Sequence, residues 1–255
     1  MRSAINIEYP GERTSLLLSA SVVVALAIVL SSITVGVFLL LLALALFSLK
    51  LQEARARTDL IKVDEKNYPH VARMARVCAF RLDIAPPNVY LLQQLEPNAY
   101  SSGFWGKHWV VLHSCLLDMC DSDELMFVIG HEMGHIKREH TSWLILASPR
   151  AHFALPFVSD LVAMIFNNWS LRAEYSADRA GLLACRNIDS AVGALVKLQY
   201  WEKPVDVERL LRGWQKVRDY PLVKLGELFG DHPYIPNRIE KLRAFNEVLL
   251  SRAVL

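Results

Sequence analysis

His131 and His135 stand four residues apart with Glu132 beside the first, in the run His131-Glu132-Met133-Gly134-His135. Positions i and i+4 share one face of an α-helix, so both imidazoles can reach a single ion. Zinc favours nitrogen donors in tetrahedral geometry, and a reactive zinc site keeps one position open for water. A carboxylate at Glu132 is then placed to take a proton from that water. The apolar run Leu125-Met126-Phe127-Val128-Ile129 just ahead buries the helix, and buried histidines need partners.

A third ligand must come from elsewhere. One extension of this motif requires Gly three residues after the second His and a third His three residues further on. Arg138 and Thr141 occupy those positions, which excludes that arrangement. His140 lies nine residues from His131, half a turn out of phase on a continuous helix, and reads as a solvated helix-end residue. Glu174 and Asp178, in Glu174-Tyr175-Ser176-Ala177-Asp178, share a helix face. One carboxylate can bind the ion while the other holds a ligand histidine from behind. From spacing alone, an ordinary acidic helix face flanked by Arg172 and Arg179 explains the pair equally well.

Several elements must position these groups. Asp121 and Glu124 form a capping-box pattern, which opens a helix running to about residue 139. A second long helix covers roughly residues 160–185, and three more follow at about 190–201, 205–218 and 236–251. Upstream, Tyr68-Pro69 starts a helix whose apolar Val71, Met74, Ala75, Cys78 and Leu82 keep helical spacing, and Pro86-Pro87 stops it. Residues 88–93 (NVYLLQ) and 109–112 (WVVL) read as strands, with turn chemistry at Ser101-Ser102-Gly103 and Gly106 between them. Residues 51–66 are charged, lack Pro and Gly, and read as helical.

No charged residue occurs over residues 15–49. One membrane span needs about 20 apolar residues, so this stretch suits two short spans, about 15–30 and 33–49, broken at Ser31-Ser32-Ile33-Thr34-Val35-Gly36. One long tilted helix is the alternative. The stretch is too long for the apolar region of a cleavable signal. Lys50, Arg55, Arg57 and Lys62 follow it closely, which places the remainder of the chain in the cytoplasm. Cys78, Cys115, Cys120 and Cys185 show no metal or redox spacing and suit a reducing compartment. The net charge of +2 without a basic stripe gives no sign of nucleic-acid binding.

Four stretches also resemble a known family. They are Pro97-Asn98-Ala99-Tyr100, the run from Asp123-Glu124-Leu125 through His135-Ile136, the run from Glu174 through Asp178 to Gly181, and Asp231-His232-Pro233 with Arg238-Ile239. Their order and spacing, over about residues 60–245, resemble the HtpX-like membrane metallopeptidases. These are gluzincins related to the type I CaaX prenyl proteases. The resemblance implies Glu174 as third zinc ligand and Asp178 as its supporting partner, with Arg238 nearby. It places His232 near the zinc as a stabiliser of the oxyanion. It also implies a substrate strand added beside residues 109–112, with Asn98, Ala99, Trp109, Val110 and Val111 in contact with substrate. The segment after Asn98, often glycine-rich in relatives, is Ser-Ser-Gly-Phe-Trp-Gly-Lys-His here. Phe104 and Trp105 read as a substrate-gating or membrane-dipping tip, or as core. HtpX proteins carry further spans between the two motif helices. Residues 143–169 are instead broken by Pro149, Arg150, His152, Pro156 and Asp160, and read as core or as a surface lying on the membrane.

The expected architecture is α+β and predominantly helical. A membrane anchor over residues 1–50 precedes a gluzincin-type peptidase domain with a small sheet over residues 51–255. The expected activity is hydrolysis of protein or peptide substrates with one zinc ion, Glu132 and His232 being catalytic. The expected setting is a lipid bilayer, with a role in membrane protein quality control. The rival is a chaperone or assembly factor that keeps the zinc fold without cutting. The two differ in whether Glu132→Gln abolishes function.

Overall fold

A computed structural model describes residues 7–29, 43, 47, 51, 59–104, 106–147, 156–201, 206–228, 230 and 232–253. The second limb of the expected membrane hairpin, and so the choice between a hairpin and one long helix, lies outside the described residues. So do the side chains of Phe104 and Trp105. One helix among the described residues, α1 (Glu12–Val29), is long and apolar enough to cross a membrane, and little of it is buried. Leu17, Leu18, Ile28 and Val29 are exposed along it.

Helix α2 (Pro69–Leu82) carries Pro at its first turn and buries Val71, Met74, Ala75, Cys78 and Leu82, the stripe expected from their spacing. It ends on Asp83 in the left-handed region, φ 53°. A four-stranded sheet follows from β1 (Leu60–Lys62), β2 (Asn88–Leu92), β3 (Ala99–Phe104) and β4 (Lys107–His113), in the order β1-β2-β4-β3. The β2–β4 pair is parallel and the two outer pairs are antiparallel.

Two local expectations are corrected. Residues 60–62 form a strand rather than a helix, because Leu60, Ile61 and Lys62 pair with Leu92, Leu91 and Tyr90 along the open side of β2. Ser101, Ser102 and Gly103 lie within β3 rather than in a turn. The reversal comes later, near Gly106 at φ 81°. Gly103 is needed because a Cβ there would meet the Lys107 carbonyl at 2.2 Å.

The expected capping box is present at the head of α4 (Ser122–Lys137). Asp121 accepts from the amides of Asp123 and Glu124, both at 2.9 Å, and Glu124 accepts from the Asp121 amide at 2.8 Å. This satisfies three backbone donors that would otherwise lack partners. Nearly all of α4 from Glu124 to Ile136 is buried, so its apolar side chains fix its rotation against the sheet and its neighbours. The other helices are α3 (Cys115–Met119), α5 (His140–Ala147), α6 (Pro156–Cys185), α7 (Ile188–Tyr200), α8 (Val207–Val217), α9 (Pro221–Leu228) and α10 (Ile235–Ala253).

Small residues set the distance between α4 and α6. A Cβ on Gly130 would lie 2.3 Å from the Ala184 Cβ, and one on Gly134 would lie 2.6 Å from the Ala180 Cβ. The two helices therefore approach almost backbone to backbone, at the residues immediately preceding the two histidines on α4. A separate apolar cluster of Phe166, Trp169 and Ala173 on α6 receives Leu16 and Val23 of α1. Trp169 is fully buried, which makes this end of residues 143–169 core. Residues 148–155 lie outside the described residues.

Candidate metal centre

Close approach of α4 and α6 brings His131, His135 and Glu174 together. One ligand atom from each lies within 4.8 Å of the others, and all three residues are buried. His131 Nε2 and His135 Nε2 face one another at 3.2 Å. Glu174 Oε1 is 3.3 Å from His135 Nε2, and Glu174 Oε2 is 3.7 Å from His131 Nε2. Glu132, next to His131 on α4, is also buried.

Behind this cluster the polar groups are ordered. His131 Nδ1 donates to Asp178 Oδ1 at 3.0 Å. Asp178 is clamped by Arg238 of α10, whose Nη2 reaches Oδ1 at 2.6 Å and whose Nε reaches Oδ2 at 2.9 Å. A two-pronged guanidinium–carboxylate contact fixes orientation as well as charge. Arg238 Nη1 also lies 3.5 Å from Glu174 Oε2. Arg238 is buried and bridges both carboxylates.

The electrostatics follow from these contacts. Burial opposes charge on Asp178, but Arg238 and His131 outweigh it and hold the carboxyl below its usual range. Burial likewise opposes charge on Glu174, and His232, His135 and Arg238 together hold it well below the carboxylate norm. Burial disfavours a charged His135, yet the hydrogen bond and charge of Glu174 raise it above the usual imidazole value. Buried carboxylates that stay ionised must be compensated, and the cluster gathers compensation around an acceptor-rich centre.

The residues fit a zinc ion. Glu174 Oε2 is buried yet lacks an aligned hydrogen bond, although His232 Nδ1 lies 2.8 Å away. Two imidazole nitrogens and this carboxylate make a His2Glu set of the kind a reactive zinc site uses. His232 itself is largely exposed, on the loop leading into α10. Burial pushes the Cys78 and Cys120 thiols up to about 12, which leaves them poor nucleophiles.

Two expectations fail. His140 is not solvated; its exposure is 1%. Its Nδ1 lies 3.1 Å from His135 Nδ1 and its Nε2 lies 3.0 Å from Glu12 Oε1. The phase argument assumed one continuous helix. Instead α4 ends at Lys137 and Glu139 adopts φ 57°, so α5 restarts in a new direction with His140 turned inward. Burial lowers the His140 imidazole to about 4, so it is neutral at physiological pH.

The strand over residues 109–112 cannot accept a further strand. It lies in β4, paired to β2 on one side and β3 on the other, and Val110 and Val111 are fully buried. Val110 and Val111 therefore lie in the interior of the sheet, whereas Trp109 is half-buried. The sheet edge on this side is β3, which starts at Ala99 just after Asn98 and packs beside α4 and α5. Sequence reasoning missed Glu12 and Arg138. Arg138 holds both Glu8 and Glu12. An acidic residue heading an otherwise apolar helix was the one available signal.

A buried pair of histidines one turn apart on a capped helix, met by a carboxylate from a second helix, is the arrangement of a metallopeptidase centre. The sequence profile of Peptidase family M48 matches residues 65–246, and the chain belongs to that family. It is similar to the Protease HtpX homolog of Thermoplasma volcanium, 27% identical over 228 residues, which span 71% of this chain and 72% of that protein. The Protease HtpX homolog of Thermoanaerobacter pseudethanolicus is 23% identical over 230 residues, 75% of this chain and 77% of the relative. The Plastoglobule-localized metallopeptidase 48, chloroplastic, of Arabidopsis thaliana is 33% identical over 124 residues, 46% of this chain. The match covers only 36% of that plant protein. The family resemblance read from the sequence therefore holds.

Proposed function

We propose that the chain is a membrane-anchored, zinc-dependent endopeptidase that hydrolyses peptide bonds of protein substrates at the cytoplasmic face of a bilayer. The observation that carries the reading is the convergence of His131, His135 and Glu174 within 4.8 Å in a buried setting. In the proposal these three hold one zinc ion. When bound, zinc supplies a Lewis acid that activates water and polarises the scissile carbonyl. Glu132 accepts a proton from the attacking water and delivers it to the leaving amine. His232 donates to the carbonyl oxygen as negative charge develops there. Asp178, held by Arg238, keeps His131 Nδ1 protonated so that its Nε2 lone pair faces the centre.

The substrate enters as an extended segment alongside β3, with Asn98 and Ala99 at its start, since main-chain pairing along an open edge binds a peptide with little regard to its sequence. Membrane attachment rests on α1, whose 18 residues span about 27 Å as a helix, close to the thickness of the hydrocarbon layer. The basic residues after the apolar stretch support a cytoplasmic catalytic domain. A role in membrane protein quality control fits that location.

The decisive experiment compares wild type, Glu132→Gln and Glu174→Ala as full-length protein in detergent. Wild type is expected to bind one zinc and cleave an unfolded protein substrate. Glu132→Gln is expected to keep the zinc and lose cleavage, and to trap substrates identifiable by mass spectrometry. Glu174→Ala is expected to lose the zinc. Full metal occupancy in Glu174→Ala, or undiminished cleavage by Glu132→Gln, would overturn the assignment.

A further inference from the structure

Asp178 and Arg238 support only one histidine of the centre. The other, His135, turns its Nδ1 the opposite way, toward His140 Nδ1 at 3.1 Å. His140 Nε2 then lies 3.0 Å from Glu12 Oε1, contributed from 128 residues earlier in the chain. Glu12, His135 and His140 are all buried.

Only one placement of protons satisfies this row when His135 Nε2 must keep a lone pair. His135 carries its proton on Nδ1 and donates it to His140 Nδ1. His140 therefore carries its own proton on Nε2 and donates it to Glu12. If the carboxylate were missing, His140 would be released to protonate Nδ1 instead. The proton on His135 would then be driven to Nε2, and the lone pair facing Glu174 would be lost.

The carboxylate is delivered to this position by the segment ahead of α1, which is tied to the same turn of α6 that carries Glu174 and Asp178. The Tyr9 amide donates to Ser176 Oγ at 3.1 Å, and Ser176 Oγ donates in turn to Glu12 Oε2. Arg172 Nη1 donates to the Pro10 carbonyl at 2.6 Å and Arg179 Nη1 to the Glu8 carbonyl at 2.7 Å. Arg138 contacts Glu12 Oε1 at 3.0 Å and balances its charge. Gly11, at φ 82°, allows the turn that brings Glu12 inward.

We infer that Glu12 is a positioning residue for the metal centre, acting through His140 to fix the tautomer of His135, so that the N-terminal end of α1 is a working part of the site. This rests on the zinc reading given under the proposed function. The test uses the full-length chain in detergent and titrates zinc against a competing chromophoric chelator, with circular dichroism to verify folding. Glu12→Leu is expected to weaken zinc binding by about 10–100-fold, the range for removing such an outer partner. Glu12→Gln, which still offers His140 an acceptor oxygen, is expected to recover most of that loss. A merely structural role for the segment would not distinguish the two variants by the acceptor they offer.

Unchanged affinity in Glu12→Leu, or an equal loss in Glu12→Gln and Glu12→Leu, would overturn the inference. If Glu12→Leu fails to fold, His140→Leu interrupts the same row at its middle and is expected to show the same weakening; wild-type affinity in His140→Leu overturns the inference too. Wild-type protein that binds no zinc, or Glu174→Ala that binds it as tightly as wild type, marks failure of the zinc reading itself, and the inference falls with it.

Discussion

Replacing Arg238 by methionine removes the cation that bridges the two carboxylates behind the metal centre while keeping a buried side chain of comparable length. Asp178 loses two of its three charge-assisted hydrogen bonds and retains only His131; Glu174 loses a guanidinium 3.5 Å away. Removing one partner of a buried ion pair leaves an uncompensated charge and costs about 3–5 kcal/mol. For a domain of this size, that lowers the apparent Tm of metal-free protein by about 6–20 °C. His131 also loses its fixed orientation, so zinc should bind about 10–100-fold more weakly. Because a depressed carboxyl stabilises above its unfolded pKa and loses that effect as pH falls through its folded one, the variant should begin to unfold at higher pH than wild type. Thermal melts followed by intrinsic fluorescence, with and without a chelator, measure the first effect, and chelator competition measures the second. The double variant Arg238→Met with Asp178→Leu removes both charges and should recover part of the lost Tm. A single variant that melts with the wild type, or a double variant less stable than the single, would refute the reasoning.

His232→Ala should keep its zinc and its fold while kcat falls roughly 10²–10³-fold with little change in KM, as expected for a group acting on the developing oxyanion; loss of zinc would instead add His232 to the ligand set. Gly134→Ala places a Cβ 2.6 Å from the Ala180 Cβ and should cost about 1–3 kcal/mol by forcing α4 and α6 apart, with weaker zinc binding; a variant as stable and as tightly loaded as wild type would show that the helices have slack. In metal-free protein the raised His135 contributes stability through Glu174 that is present below the usual imidazole value of 6.5 and is lost as pH rises through the raised one. Zinc must displace that proton, so affinity should rise with pH across neutrality, and a pH-independent dissociation constant would contradict this.

The histidines of the centre were legible because their signals are local. His131 and His135 share a face at any helical spacing of four and Asp121 and Glu124 announce the start of α4, whereas the i, i+4 relation of Glu174 and Asp178 fits an ordinary acidic face equally well and points to the centre only through the family resemblance. Arg238 and His232 are assigned through the family resemblance, since a cation on a helix and a histidine in a loop have no local feature that forecasts burial against Asp178 or contact with Glu174. His140 was misread because a single left-handed residue, Glu139, resets the helix phase. Nothing in an Arg-Glu-His sequence requires that break. The short strand β1 went unread because three residues owe their conformation to the open side of β2 rather than to their own propensity. That β3 rather than β4 is the free edge is likewise a matter of sheet order, which spacing along the chain does not encode.

Arg238 lies on α10, which follows every other described element in the chain. As the polypeptide leaves the ribosome, Glu12 emerges first, the histidines next, and Glu174 and Asp178 after them. Until α10 is made and docks, those two carboxylates share one buried turn without their guanidinium, and the region around them is correspondingly unstable. Domains acquire structure in the order that translation allows. A centre whose last support arrives with α10 is therefore completed only after its histidines and both carboxylates have been made, so its electrostatic balance is the final thing the fold acquires among the described elements.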